Sequence, residues 1–402
     1  MCGAGDLVRY LELGETPLAN AYLAADKLTQ PEPKVELAIQ VCRRCGLSQL
    51  TRVVDRERMF REYLYVSSTS DTLRAHCAEL AETISRDANA TSADLALDIA
   101  SNDGLLLSCF RKLGLRVIGV DPARNLAAEA NARGIPTIAD YWSADVAQRI
   151  VREQGHPRVI TAQNVVGHVD DVNGFVAALD LALDAHGIFV MEVPYILDFV
   201  ERVEFDTAYH EHLSYWGVRP LATLFARHGF SVFDVTHFPN IHGGTIRVAV
   251  CRAGDREIRP SVEGALERER AFGVSDPAVY VAFGERVRRN MDELRALVGR
   301  LRARGEQVWA YGASAKGNTL MNFARLPAGS VPVVVDDNPK KWDLYTPGAR
   351  MRIVGPAALK GAEVQHLLLL AWNFEAEIVR RSRAAGYRGA FIRPVPAVAQ
   401  FA

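Results

Sequence analysis

Leu95-Ala-Leu-Asp-Ile-Ala-Ser-Asn-Asp-Gly-Leu-Leu-Leu107 decides how the chain is read. Its first five residues are apolar apart from Asp98, the composition of a strand buried on both faces. Ser101-Asn-Asp-Gly104 then breaks the run, and Leu105 to Leu113 reads as a helix. A strand, a small-residue turn and a helix start together form a cradle. Arg116-Val-Ile-Gly-Val-Asp-Pro122 is a second buried strand. It ends in Asp121, about 20 residues beyond the turn, where a doubly wound sheet presents an acid to a ribose.

The turn also says what it is poorly suited to hold. A pyrophosphate needs glycines so that backbone amides can approach it, yet the three relevant positions are Ala100, Asn102 and Gly104. S-adenosylmethionine carries no phosphate, and a turn offering amides and side-chain acceptors to an amino acid and a ribose suffices for it. The expected cofactor set is Ala100, Ser101, Asn102, Gly104 and Asp121. An ordinary strand-to-helix turn of an α/β domain has the same outline.

Further α/β units extend outward from this stretch. His76 to Arg86 reads as the preceding helix, and Ile135-Pro-Thr-Ile138 as a third strand, after which Asp140 is placed to accept from an adenine amino group. Val159-Ile-Thr-Ala-Gln163 is a fourth strand that contributes Gln163 to the cofactor set and runs out into Asn164 and His168. Ligands bind beyond the carboxyl ends of such strands. Gly187 to Val193 is the fifth, and Phe230 to His237 with Gly243 to Cys251 read as an antiparallel pair closing the sheet. Between them lies Tyr209-His-Glu-His-Leu-Ser-Tyr215, the densest cluster of proton-transfer groups in the chain. It lacks the helical i, i+4 histidine pair of a hydrolytic zinc motif, so general acid/base work is expected of it. A polar loop without chemistry is the plain alternative.

Towards the C-terminus, Ser275 to Arg304 reads as a helical spacer. Gln307-Val-Trp-Ala-Tyr-Gly-Ala-Ser-Ala-Lys-Gly-Asn318 then repeats the strand, turn and helix theme, with Val331 to Asp337 as a further strand. Small residues and Lys316 at a helix start suit a diphosphate, although a scaffolding role fits the same loop. At the N-terminus, Val41-Cys-Arg-Arg-Cys-Gly-Leu47 is a Cys-x-x-Cys-Gly knuckle, and Cys2-Gly3 resembles half of another. Cys2, Cys42 and Cys45 are the expected ligands of a structural zinc, with reduced thiols in a loop-rich lobe as the alternative. Leu11 to Asn20 reads as a turn-rich connector between the knuckles.

Length and composition set bounds on function. At 402 residues the chain holds two to three domains, and 49% hydrophobic with 24% charged residues is an ordinary globular composition. A net charge of -1 provides no basic field for nucleic acid. There is no apolar run of membrane-spanning length and no signal-peptide pattern, so a cytoplasmic protein without membrane partners is expected.

In its motifs the chain resembles the sugar C-methyltransferases, which act on nucleotide-linked deoxysugars in bacterial natural-product pathways. The matching segments are the Cys-x-x-Cys-Gly knuckle with Thr16 to Asn20, the Ser101 to Gly104 turn, and Asn164 to His168. They continue with Tyr209 to His212, His242-Gly-Gly244, Gly312 to Asn318 and Trp372-Asn-Phe374, nearly end to end. The resemblance implies a zinc-binding lobe (1–60), a class I methyltransferase Rossmann-like domain (61–260) and a second Rossmann-like domain (261–402) enclosing a nucleotide sugar. It implies His212 as catalytic base, with Glu211 and Tyr209 beside it, Asn164 and His168 across the site, and Tyr63 from a lid. His242, Lys316 and Asn318 are the expected substrate contacts. The implied reaction is C3 methylation of a dTDP-linked 4-keto-6-deoxyhexose through an enolate, for antibiotic-type deoxysugar biosynthesis. Methylation at oxygen or nitrogen, or a nucleotide-sugar-binding protein without catalysis, are the alternatives; the set Tyr63, His168 and His212 favours an enzyme. The chain departs from the family pattern at Ala100, where glycine is usual, and in having three of the four expected cysteines.

Overall fold

A computed structural model describes residues 1–60, 71–241 and 243–402. Three sheets make up the frame. In the N-terminal lobe, β1 (Leu7–Thr16), β2 (Val35–Cys42) and β3 (Ser48–Leu50) pair antiparallel. The stretch expected as a turn-rich connector is therefore largely strand. Leu11 and Leu13 alternate inward from β1, and register irregularities fall between Arg9 and Leu11 and between Glu12 and Gly14, the latter with a φ of 85° that ordinary strand residues rarely adopt.

The central sheet comprises β4 (Leu95–Ile99), β5 (Arg116–Val120), β6 (Thr137–Ile138), β7 (Val159–Gln163) and β8 (Ile188–Pro194), all parallel. After a two-residue strand β9 (Ser214–Tyr215) come β10 (Phe230–Phe238) and β11 (Thr245–Arg252), an antiparallel pair. The order is β10-β11-β8-β7-β4-β5-β6, with β11 antiparallel to β8. All five residues of β4 are buried, as a strand covered on both faces requires. The chain reverses its direction of winding between β4 and β7, which opens a crevice at their carboxyl ends.

The third sheet has the order β14-β13-β12-β15-β16-β17, where β12 is Val308–Tyr311, β13 Val333–Val335, β14 Arg352–Val354, β15 His366–Leu369, β16 Ala390–Arg393 and β17 Ala399–Phe401. The first five are parallel and β17 is antiparallel. Its switch point lies between β12 and β15, so the loops carrying Gly312 to Lys316 and Ala371 to Phe374 face one crevice.

Two features tie the units together more closely than the sequence suggests. β9 belongs to the N-terminal sheet, where Ser214 and Tyr215 pair with Gln49 and Ser48. The helix Pro277–Ala303 is no spacer: Tyr280 and Phe283 pack on Tyr10 of the lobe, with ring centroids 4.9 and 6.1 Å apart. Gly284 lies so close that a Cβ there would sit 2.3 Å from the Tyr10 carbonyl oxygen. The main hydrophobic cluster accordingly runs through all three units. Among the described residues no helix is long and apolar enough to cross a membrane.

Candidate active site

The central crevice and the C-terminal crevice open into one cavity of about 950 Å³. Ala100, Ser101, Asn102 and Asp121 line it on the cradle side, Gln163, Asn164 and His168 at the end of β7, Tyr209 and His212 beyond β8, and Lys316 with Asn373 from the third sheet. Residues expected to work together from three separate stretches of sequence thus share a wall.

The cradle is shaped by backbone conformations that side chains rarely adopt. Ala100 and Asn102 have φ of 55° and 52°, and Gly104 has φ of 80°. Asp121 fixes this shape, since its Oδ2 accepts from the Asn102 amide at 2.8 Å and its Oδ1 from the Ala123 amide at 2.8 Å. Burial pushes the Asp121 carboxyl up to about 6, and those two amides oppose the shift. Each oxygen keeps a second lone pair for a ligand hydroxyl. Gly104 does not line the cavity; it begins the helix Leu105–Lys112, and a Cβ there would meet the Ile135 side chain at 3.0 Å. Asp98 lines the floor, pushed up to about 7 by burial, with its Oδ1 accepting from Thr161 Oγ1 at 2.6 Å. The side-chain Oε1 of Gln163 is buried with no hydrogen-bond partner among the described residues, an acceptor waiting for a donor. A phosphate-free nucleoside with an amino-acid tail fits this donor and acceptor set.

His212 is oriented from both ring nitrogens. Nδ1 lies 2.7 Å from the Thr207 carbonyl, which can only accept, so Nδ1 carries the hydrogen and Nε2 presents a lone pair. The Tyr209 hydroxyl donates to Nε2 at 2.7 Å. Burial holds the imidazole well below its ordinary value, and the neighbouring His168 lowers it further. The two rings meet edge to face with centroids 4.9 Å apart. Burial also takes His168 down to about 4, against hydrogen bonds to the backbone of Glu211 and Asn164. Asn164 itself adopts φ of 56°, and its amide donates to the Glu192 carbonyl at 2.8 Å. The site therefore holds two neutral imidazoles, one of them an oriented base.

Several expected contacts lie elsewhere. The Asp140 carboxylate accepts from the Tyr141 amide at 2.8 Å and stays exposed outside the cavity, whose wall carries Tyr141 and Trp142 instead. Glu211 points away from the base: its Oε1 accepts from Asn20 of the lobe at 2.7 Å, and burial pushes it up to about 7. Asn318 is fully buried and donates to the Ala19 carbonyl at 2.7 Å, a bond between units in place of a substrate contact. Tyr63 and His242 lie outside the described residues. The Thr207 carbonyl left no sequence signal, because any residue supplies a carbonyl and its position depends on the turn Phe205–Thr207.

In the lobe, the sulfurs of Cys2, Cys42 and Cys45 lie within 4.8 Å of one another, and those of Cys2 and Cys42 are 3.6 Å apart. A tetrahedron with Zn–S bonds of about 2.3 Å has edges of about 3.8 Å, so the three thiols fit one zinc ion.

Comparison with known proteins finds matches to three family models along the chain. Residues 1–60 match the family described as a zinc binding domain, residues 72–235 a methyltransferase domain, and residues 240–396 a C-methyltransferase C-terminal domain. C-methyltransferase NovU of Streptomyces niveus is 35% identical over 398 residues, spanning 98% of this chain and 94% of that protein. The chain belongs to the C-methyltransferase family. It is a SAM-dependent enzyme with a class I methyltransferase domain, and the expected alternatives of oxygen or nitrogen methylation give way to carbon. A ubiquinone biosynthesis O-methyltransferase of Rhodopseudomonas palustris (strain BisB18) is 36% identical over 97 residues, 24% of this C-methyltransferase and 37% of that protein. Magnesium protoporphyrin IX methyltransferase from Synechocystis PCC 6803, solved with bound SAM, superposes with a TM-score of 0.35 and 14% identity over 50% of this chain and 90% of that one.

Proposed function

We propose that this C-methyltransferase methylates C3 of a dTDP-linked 4-keto-6-deoxyhexose, in the deoxysugar branch of a natural-product pathway, and that the Tyr209–His212 pair removes the C3 proton. The observation that carries the reading is the fixed tautomer of His212. A proton α to a ketone is removed by a neutral base held in place, and Nε2 is a lone pair whose protonation state and direction are both set by the protein. When bound, SAM supplies the electrophilic methyl group. The cradle at Ala100 to Asn102, Asp121 and Gln163 would hold its ribose and amino-acid portions beside that base. His168, kept neutral and tied to backbone, maintains the angle of the base through their ring contact. Asn164 closes the wall between donor and acceptor. A near-complete span of similarity to a C-methyltransferase supports carbon as the nucleophile. The small-molecule acceptor is supported by the size of the cavity, about 950 Å³.

The test is mass spectrometry of the enzyme with SAM and a dTDP-4-keto-6-deoxyhexose in deuterated water. Gain of one methyl, with deuterium entering C3 when SAM is omitted, is the expected result. Methyl gain on a hydroxyl, or none with any keto-sugar nucleotide, would overturn the reading.

A further inference from the structure

The sequence suggests a diphosphate role for Lys316, yet the structure sets its ammonium beside the acid/base residues. Lys316 opens the helix Ala315–Ala324, which packs on the turn Phe205–Thr207, and Phe323 and Phe205 meet with ring centroids 5.6 Å apart. That is the turn whose Thr207 carbonyl orients His212. Trp372 clamps the same place from the other loop: its Nε1 donates to Asp206 Oδ2 at 2.7 Å, and its ring lies 5.1 Å beneath the Lys316 Nζ. The ammonium is close enough to act electrostatically on His212 as well as on Glu204 and Asp206.

Among the described residues, the donors around the base are otherwise engaged. Tyr209 donates to His212, and His212 donates to Thr207. His168 is held by the backbone of Glu211 and Asn164. Among the described residues, the other lysine or arginine on the cavity wall, Arg56, lies over the Tyr141 ring and pairs with Asp170 at 3.8 Å. The Lys316 Nζ is buried without a hydrogen-bond partner among the described residues. An ammonium with three donors and no acceptor, enclosed next to a base, awaits negative charge.

Building on the function proposed above, we infer that Lys316 is a catalytic residue that stabilises the enolate oxygen. As the C3–H bond breaks, the proton passes to the Tyr209 oxygen while the Tyr209 hydroxyl proton passes to Nε2 of His212, and the bonding pair becomes the C3=C4 double bond. The carbonyl π pair moves onto the C4 oxygen, which accepts a hydrogen bond from the Lys316 ammonium. Charge is conserved, and no further reactant is needed for this step. A donor aimed at an oxyanion in an enclosed site contributes about 10²- to 10³-fold to the rate.

Deuterium exchange at C3 isolates this step, because it needs no methyl transfer. The experiment compares wild-type enzyme with Lys316→Met at saturating dTDP-4-keto-6-deoxyhexose without SAM, alongside titrations with dTDP and with SAM. The expected result is exchange slowed by about 100-fold or more, with dTDP and SAM affinities retained. Unchanged exchange at saturation overturns the inference, and a loss confined to dTDP affinity returns Lys316 to the diphosphate. If Lys316→Met loses SAM binding, Lys316→Gln takes its place in the same comparison. A wild-type enzyme that exchanges no deuterium would refute the enolate route itself, a different outcome from equal rates in the two proteins.

Discussion

Replacing His212 by glutamine separates chemistry from architecture. The glutamine amide can donate to the Thr207 carbonyl, now served by Nδ1 at 2.7 Å, and it cannot take up a proton at neutral pH. Losing a general base lowers turnover by about 10²- to 10⁴-fold, equivalent to about 3–5 kcal/mol in the barrier. Stability should fall by no more than about 1 kcal/mol, since the Thr207 hydrogen bond survives. His212→Ala would instead leave the Thr207 carbonyl and the Tyr209 hydroxyl to water or to nothing, at about 1–3 kcal/mol for each buried group left unpaired. SAM affinity should stay within about threefold in both variants, a difference below 1 kcal/mol, because the cradle rests on Asp121 and the Ala100 to Gly104 turn. Urea denaturation, SAM calorimetry and methyl transfer with C3 exchange give the three readings. Turnover in His212→Gln within tenfold of the wild type would refute the base assignment, whatever the stability.

Three other outcomes follow from the geometry. Gly104→Ala forces a side chain into φ of 80° against Ile135, which costs about 1–2 kcal/mol; weaker SAM binding and a lower melting temperature are expected, and an unchanged protein would show that the turn relaxes freely. Cys45→Ser should abolish bound zinc in metal analysis and lower the melting temperature, and full zinc occupancy in the variant would refute the three-thiol site. Because burial and His168 depress the His212 imidazole, the neutral base persists below pH 6.5 and the acid limb of exchange moves down: at pH 6, where an ordinary histidine would be only about one quarter neutral, exchange should keep more than half its value at pH 7.5. A midpoint at or above pH 6.5 would contradict that environment.

The parallel strands of the central sheet, and β12 and β13 of the C-terminal one, were legible because each is a short run of mostly apolar residues. So was the working edge, since Asn164, His168 and Tyr209 to His212 follow strands β7 and β8. What escaped the sequence was partnership over long range. Glu211 looks catalytic beside two histidines, but the turn of the backbone aims it at Asn20. Asn318 reads as a ligand for a nucleotide because it follows a small-residue loop, yet its amide is spent on Ala19. Leu11 to Asn20 reads as a connector because Gly14 and Pro17 punctuate it, and only pairing with Val35–Cys42 makes its first part, up to Thr16, a strand. The long helix Pro277–Ala303 hides its docking face among arginines and glutamates, and the contacts of Tyr280 and Phe283 with Tyr10 reveal it.

The segment from Asp206 to Tyr215 is gripped by Trp372 on one side, by Asn20 in the middle and by strand β3 at its far end. Recombination between relatives that exchanged any one of the three units whole would cut across these grips and leave the base misaligned in an otherwise folded protein. Substrate range in such enzymes would therefore change by replacing residues within the wall more readily than by trading modules, and chimaeras should succeed only where the crossover carries the partners of this ten-residue stretch along with it.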